Sequence, residues 1–149
     1  MNVTETLKPD SILINVSAKN KKKVLKLIIH QLYLSGNVID EKQFLKDVFK
    51  RESQGITGMG NGLAIPHGKS KSVTNPVVGI ATLKNPIEWE SLDDKPIQIV
   101  VLLAVPDVTG GSKEHLKLLA EVSKKLANEE ILNKLKQANN TQEIISSFE

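Results

Sequence analysis

The chain predicts an α/β layered domain, and three observations lead there. IQIVVLLAV (97–105) is almost continuously apolar, the pattern of a strand covered on both faces. Segments on either side of it repeat apolar residues at helical spacing. Strand-like and helix-like segments then alternate along the chain, which argues for layers rather than a bundle or a sandwich. With 149 residues, 40% of them hydrophobic and 25% charged, a single domain over 1–149 with a substantial core is expected.

The elements follow in order. Residues 1–10 are expected to be a loose start. SILINV (11–16) carries β-branched residues with some alternation and reads as a short strand. Ser17 is placed to cap a helix over about 18–35, where Val24, Leu25, Ile28, Leu32 and Leu34 recur near helical spacing and Gly36 supplies the stop. Lys21, Lys22 and Lys23 crowd its start, where the helix dipole disfavours cations; nothing local accounts for them. Asp40 opens a second helix, with Gln43 as capping-box partner and Phe44, Leu45, Val48 and Phe49 as its apolar face. That helix runs to about Ser53, with Arg51 in its last turn and Gly55 as its end.

A glycine-rich stretch comes next, then 62–66 as a short extended piece. VVGIATL (77–83) is a strand, punctuated by Asn85-Pro86. IEWESLDD reads as a loop around Trp89, whose bulk suits packing between solvated Glu88 and Glu90. Pro96 leads into the central strand. After a turn at Val108 to Gly111, Ser112 is placed to cap a third helix with the stripe His115, Leu118, Leu119, Val122 and Leu126. Asn128 interrupts it, Glu130 to Ala138 continues as a short helix, and Asn140 with Glu143 caps the last one.

The chemistry concentrates in RESQGITGMGNGLAIPHGKS (51–70). Gly55, Gly58, Gly60, Gly62 and Gly68 fall within fourteen positions there, more than half of the nine glycines in the chain. Glycine at that density weakens helix and strand. It is kept where backbone takes positive φ or comes close to something, and the amides it frees commonly face an anion. His67 closes the stretch. A neutral imidazole keeps one nucleophilic nitrogen when the other donates a hydrogen bond, so a phosphate handled by His67 is one reading; an ordinary turn histidine is the other. Arg51 has two readings as well, a cation well placed at a helix C-terminus or a planar fork for phosphate oxygens. His115 reads as a histidine at the edge of the core.

Several classes fall away. Between Gly62 and Gly68-Lys69-Ser70 stand five residues where a nucleotide P-loop has four, and Pro66 removes an amide the cradle needs. Gly58-Met59-Gly60-Asn61-Gly62 misses the dinucleotide spacing. There is no cysteine, which excludes disulfides, thiolate catalysis and cysteine-held metals. His30, His67 and His115 lie far apart without carboxylates at ligand spacing, so no metal is expected; His30 reads as a helix surface or packing residue. Five aromatics leave little for base stacking, and the basic run Lys19 to Lys23 reads as a solvated helix face, so no nucleic acid partner is expected. The longest apolar run, Ile99 to Val105, is far short of the roughly 18 residues of a membrane span. With no signal pattern at the start, a cytoplasmic protein without membrane insertion is expected.

Arg51-Glu52, Thr57-Gly58, Gly60, Gly62 and Ala64-Ile65-Pro66-His67-Gly68 resemble the active-site signature of the IIA domains of the bacterial phosphotransferase system, fructose–mannitol class. The likeness continues through PIEWESLDDKPIQIVVLLAVP and EHLKLLAEVSKKL, covering nearly the whole chain, and is nearest the fructose branch. The resemblance implies one domain built on a mixed sheet with helices on both faces. It implies that His67 accepts a phosphoryl group from the carrier protein HPr and passes it to a cysteine of a IIB domain. Arg51 falls on the family's active-site arginine and His115 on its second histidine, which moves His115 from packing to function. The amides around Thr57, Gly58, Gly60, Asn61 and Gly62 would support the oxygens. Neither metal nor nucleotide cofactor is required, because the donor is already a phosphohistidine. IIA domains of the nitrogen-regulatory type carry a similar signature and signal through partner binding; regulation is therefore the alternative to transport.

Overall fold

The computed structural model describes residues 3–108 and 112–149, and for 112–115 the backbone alone. The chain runs α1 (Val3–Thr6), a 3-10 turn (Pro9–Ser11), β1 (Ile12–Val16), α2 (Lys21–Leu34), α3 (Glu41–Glu52), β2 (Gly58–Gly60), β3 (Leu63–Ala64), β4 (His67–Ser70), β5 (Val77–Ile87), β6 (Ile97–Pro106), α4 (Ser112–Leu126), α5 (Glu129–Gln137) and α6 (Thr141–Ser147).

β6, the apolar strand, is the centre of one mixed six-stranded sheet. β5 runs antiparallel beside it, with Val78 opposite Leu103 and Ala81 opposite Val100, and β1 lies parallel outside β5. Along its other edge β6 carries two strands end to end. β3 pairs with Ile99 and Val100, and β4 with Leu103 to Pro106, both parallel. β2 returns antiparallel onto β3. From Ile99 to Ala104, side chains of β6 alternate between two cores. Ile97, Val100, Leu102 and Ala104 meet α2 and α3, while Ile99, Val101 and Leu103 meet α1, α4, α5 and α6. The three-layer arrangement with helices on both faces is thus present, and it explains why β6 could be almost wholly apolar.

Some boundaries differ from expectation, each for a physical reason. The loose start holds α1, whose Val3 is fully buried in the second core; a four-residue helix forms on tertiary contact, not on propensity. The cap of α2 is Asn20, whose side chain accepts from the Lys23 amide at 3.0 Å, three residues later than Ser17. Asp40 caps α3 as expected, accepting from the Gln43 amide, but the Gln43 side chain turns to Asp47 instead of closing the box. β5 continues through Asn85-Pro86 to Ile87, with its pairing to β6 shifting between Thr82 and Ile87. Asn128 caps α5 through the amides of Glu130 and Ile131, and Asn140 caps α6 through the Glu143 amide. The expected turn at 108–111 and cap at Ser112 fall in part outside the described residues.

Candidate active site

Two elements from one face of the sheet converge here. α3 packs directly on β4, and the contact point is Gly68. A Cβ at that position would stand 2.8 Å from both Phe44 Cε1 and Val48 Cγ2, closer than real side chains approach. Without a side chain at 68, the helix can lie on the strand, and its last turn brings Arg51 alongside His67, the first residue of β4. The sixteen-residue separation between them in sequence becomes a hydrogen bond.

Arg51 Nε–H donates to His67 Nε2 at 2.9 Å, and Arg51 Nη1 donates to the Gly55 carbonyl at 3.2 Å. His67 Nδ1 faces the Ile65 carbonyl at 3.4 Å. A guanidinium only donates and a carbonyl only accepts, so these partners assign the tautomer: the proton sits on Nδ1 and the lone pair on Nε2. Partial burial and then the neighbouring Arg51 charge push the imidazole below the ordinary histidine range, against the Ile65 hydrogen bond and the Glu52 carboxylate, which pull upward. His67 is therefore neutral at pH 7, with Nε2 able to act as a nucleophile.

Behind this pair lies a second layer of polar groups. Thr57 Oγ1 donates to the Glu52 carboxylate, 2.7 Å from Oε2, and accepts from Trp89 Nε1–H at 3.1 Å. Lys21 Nζ bridges Glu52 at 3.0 Å and Glu90 at 2.8 Å and lies 4.9 Å above the Trp89 ring. Glu52 is only 5% exposed at its side chain and Lys21 15%. Burial works against the Lys21 charge, and the two carboxylates outweigh it, holding its pKa above the ordinary lysine value. One of the three crowded lysines thus finds its reason in tertiary partners.

The glycine-rich turn is braced from outside. Gly60, Asn61 and Gly62 all take positive φ, at 94°, 57° and 80°, as the reversal between β2 and β3 requires. Its amides are less free than expected. Gly58 N donates to the Glu90 carbonyl, Gly60 N to Ser91 Oγ and Asn61 N to Asp93 Oδ2. These three therefore serve the fold, tying the turn to residues 90–93, rather than turning to an anion. Thr57 is buried and acts through its hydroxyl and carbonyl.

The resemblance names Arg51 and His67 together, and the fold brings their side chains into hydrogen-bond contact. The side chain of His115, on α4, lies outside the described residues. Lys21 and Trp89 were missed as site-supporting groups. Glu52 stood in the quoted signature without a role. The unexplained lysine run was the only signal for Lys21, and no local pattern marked Trp89. Among the described residues no cluster of three or more metal-ligating side chains occurs, and no helix is long and apolar enough to cross a membrane.

Comparison with solved structures gives the fold first. The fold matches the nitrogen regulatory protein IIA-Ntr from Neisseria meningitidis with a TM-score of 0.88 at 24% identity, covering 99% of both chains. It also matches the complex of enzyme IIAMTL with phosphorylated enzyme IIBMTL from Escherichia coli, with a TM-score of 0.79 at 19% identity over 95% of this chain and 96% of that one. The family follows: residues 5–149 match the model for the phosphoenolpyruvate-dependent sugar phosphotransferase system, EIIA 2, and the chain belongs to that family. It is 34% identical over 97% of its length to the fructose-specific EIIABC component of Bacillus subtilis. It is 33% identical, over its full length, to the 2-O-alpha-mannosyl-D-glycerate-specific EIIABC component of Escherichia coli. The chain spans under a quarter of those two relatives, 22% and 23%. A nitrogen regulatory protein of Bradyrhizobium diazoefficiens is 33% identical over 98% of this chain and 94% of its own length.

Proposed function

We propose that this chain is a phosphoryl carrier that accepts phosphate on His67 from phospho-HPr and passes it to a cysteine of a IIB domain during fructose-type sugar uptake. The observation that carries the reading is the Nε2 lone pair of His67, fixed by the Nδ1 proton facing Ile65 and met by Arg51 at 2.9 Å.

In the first step the Nε2 lone pair attacks phosphorus while the donor's P–N bond breaks, the donor imidazole leaving with the bonding pair. Such a transfer asks for in-line placement and neutralisation of oxygens more than for covalent help. Arg51 Nε–H occupies the Nε2 lone pair in the resting site, so the guanidinium has to release it as phosphorus arrives, and it then meets the phosphoryl oxygens. One side chain thus guards the nucleophile and then clamps its cargo. In the second step an acceptor thiolate attacks phosphorus, the Nε2–P bond breaks, and Nε2 regains its pair. His115, on α4, supplies a further hydrogen bond or positive charge to the phosphoryl group. Ile56 and Met59, exposed at 52% and 46%, lie in the chain between Arg51 and His67 and are proposed as apolar docking points for the protein partners. Such a carrier works at the cytoplasmic face of the membrane.

Incubation with labelled phospho-HPr and mapping of the label tests this reading. The expected result is acid-labile label on His67, lost in a folded His67→Ala variant; label persisting in that variant contradicts it. A regulatory role is the second reading, favoured by relatives of the nitrogen type that match this chain along nearly their whole length. Deleting the gene separates the two: loss of fructose uptake supports transport, and uptake unchanged supports regulation.

A further inference from the structure

The hydrogen bonds around the candidate site converge on a residue that touches neither the imidazole nor the guanidinium. Thr57 sends two arms toward the reacting pair. Its main-chain carbonyl accepts from the Ile65 amide at 2.9 Å, and the Ile65 carbonyl is the group that orients His67 Nδ1. On its other side, Thr57 closes the short turn after α3, and the Gly55 carbonyl of that turn grips Arg51 Nη1. A shift of Thr57 would move both supports at once.

The Thr57 side chain is itself held from two directions. Glu52, five residues back, accepts a hydrogen bond from its hydroxyl, and Trp89, thirty-two residues on, donates to the same oxygen. Glu52 is in turn anchored by Lys21 from α2, and Lys21 is anchored a second time by Glu90 beside Trp89. The charged group facing Glu52 is thus Lys21 from α2, and the Glu52 carboxylate is near enough to act on the His67 ring. Thr57 is 3% exposed and Trp89 5%. Buried polar groups with every partner in place form a rigid unit, and a half-satisfied one is costly. Four stretches of chain, around 21, 52, 57 and 90, are joined in one network through this hydroxyl and Lys21.

We infer that Thr57, held by Glu52 and Trp89, is a positioning residue for phosphoryl transfer, fixing the carbonyl that orients His67 and the carbonyl that holds Arg51. The inference rests on the reading of His67 as phosphoryl acceptor. It assigns the buried network a task in the transfer step that its contribution to folding alone would not include. Misplacement of about 1 Å at a reacting pair can cost roughly a hundredfold in rate, so the effect of losing the hydroxyl falls on the chemical step.

The test measures phosphorylation by phospho-HPr over a range of donor concentrations in the full chain. Thr57→Val deletes the hydroxyl at nearly constant volume, and Thr57→Ser keeps it. The expected result is at least a tenfold fall in the maximal rate for Thr57→Val with KM for phospho-HPr within twofold of the parent, and a near-parental rate for Thr57→Ser. Circular dichroism establishes that each variant is folded. Should Thr57→Val not fold, Trp89→Phe replaces it, deleting one of the two bonds on the hydroxyl while keeping a buried ring; a threefold or greater fall is expected. A folded Thr57→Val, or Trp89→Phe in its place, that works at the parental maximal rate overturns the inference. So does a fall confined to KM. Label appearing on a residue other than His67 in the parent would instead overturn the underlying reading, so the two failures are distinguishable.

Discussion

His67 combines a donor-engaged Nδ1 with a lone pair on Nε2, and its environment favours the neutral ring. Burial and the Arg51 charge hold its pKa below the ordinary histidine value of 6.5. The sign of the linkage follows. Below about 6.5 an unfolded chain binds a proton on this ring that the folded chain still refuses, so stability falls as pH drops from there until the folded ring also protonates. Nε2, the proposed nucleophile, keeps its lone pair over the same interval. Titration of the His67 ring by NMR should give a midpoint below the ordinary value; a midpoint at or above it would contradict the assigned environment. Acid therefore removes the proposed nucleophile by protonating Nε2.

At the scale of elements, the contact of α3 with β4 decides whether the site exists. Gly68→Ala places a methyl 2.8 Å from Phe44 and Val48, with a buried ring on one side and the sheet on the other. Overpacking of this kind costs about 1–3 kcal/mol, and lifting α3 also draws Arg51 away from His67. Denaturant unfolding should show the lost stability, and phosphorylation of the folded variant should be slower. Parental stability and rate together would place the contact elsewhere.

The same junction shows what a sequence can and cannot display. α3 was legible from Asp40 and its apolar face, and β6 from its unbroken apolar run. β4 was not, because Pro66, His67 and Gly68 have no local strand character; the strand exists through its pairing with Leu103 to Pro106. Ser17 and Asn20 are both competent caps, and only the placement of the chain after β1 chooses between them. The Thr57 network was illegible for a related reason. Its members, Lys21, Glu52, Thr57, Trp89 and Glu90, are spread over some seventy positions, and each has an ordinary local explanation.

Across the whole molecule, the sheet separates two cores of different use. The α4–α6 side packs the second core and includes His115 on α4, whereas the α2–α3 side carries Lys21, Glu52 and Arg51 toward the edge strands that hold His67. A groove of about 780 Å³ between α2 and α3, lined in part by Lys23, Leu27, His30 and Leu45, contains neither Arg51 nor His67. The reactive pair sits outside it, half-buried, on the edge-strand side of the sheet. That placement suits a phosphoryl group delivered and removed on other proteins.

The central claim is that Nε2 of His67 carries the phosphoryl group. Phosphorus and nitrogen NMR of the protein phosphorylated by phospho-HPr reads the modified residue and the modified ring atom in one experiment. The structure predicts a single phosphohistidine at His67 with phosphorus bonded to Nε2 and the proton retained on Nδ1. Phosphorus on Nδ1, or on any other residue, would contradict it.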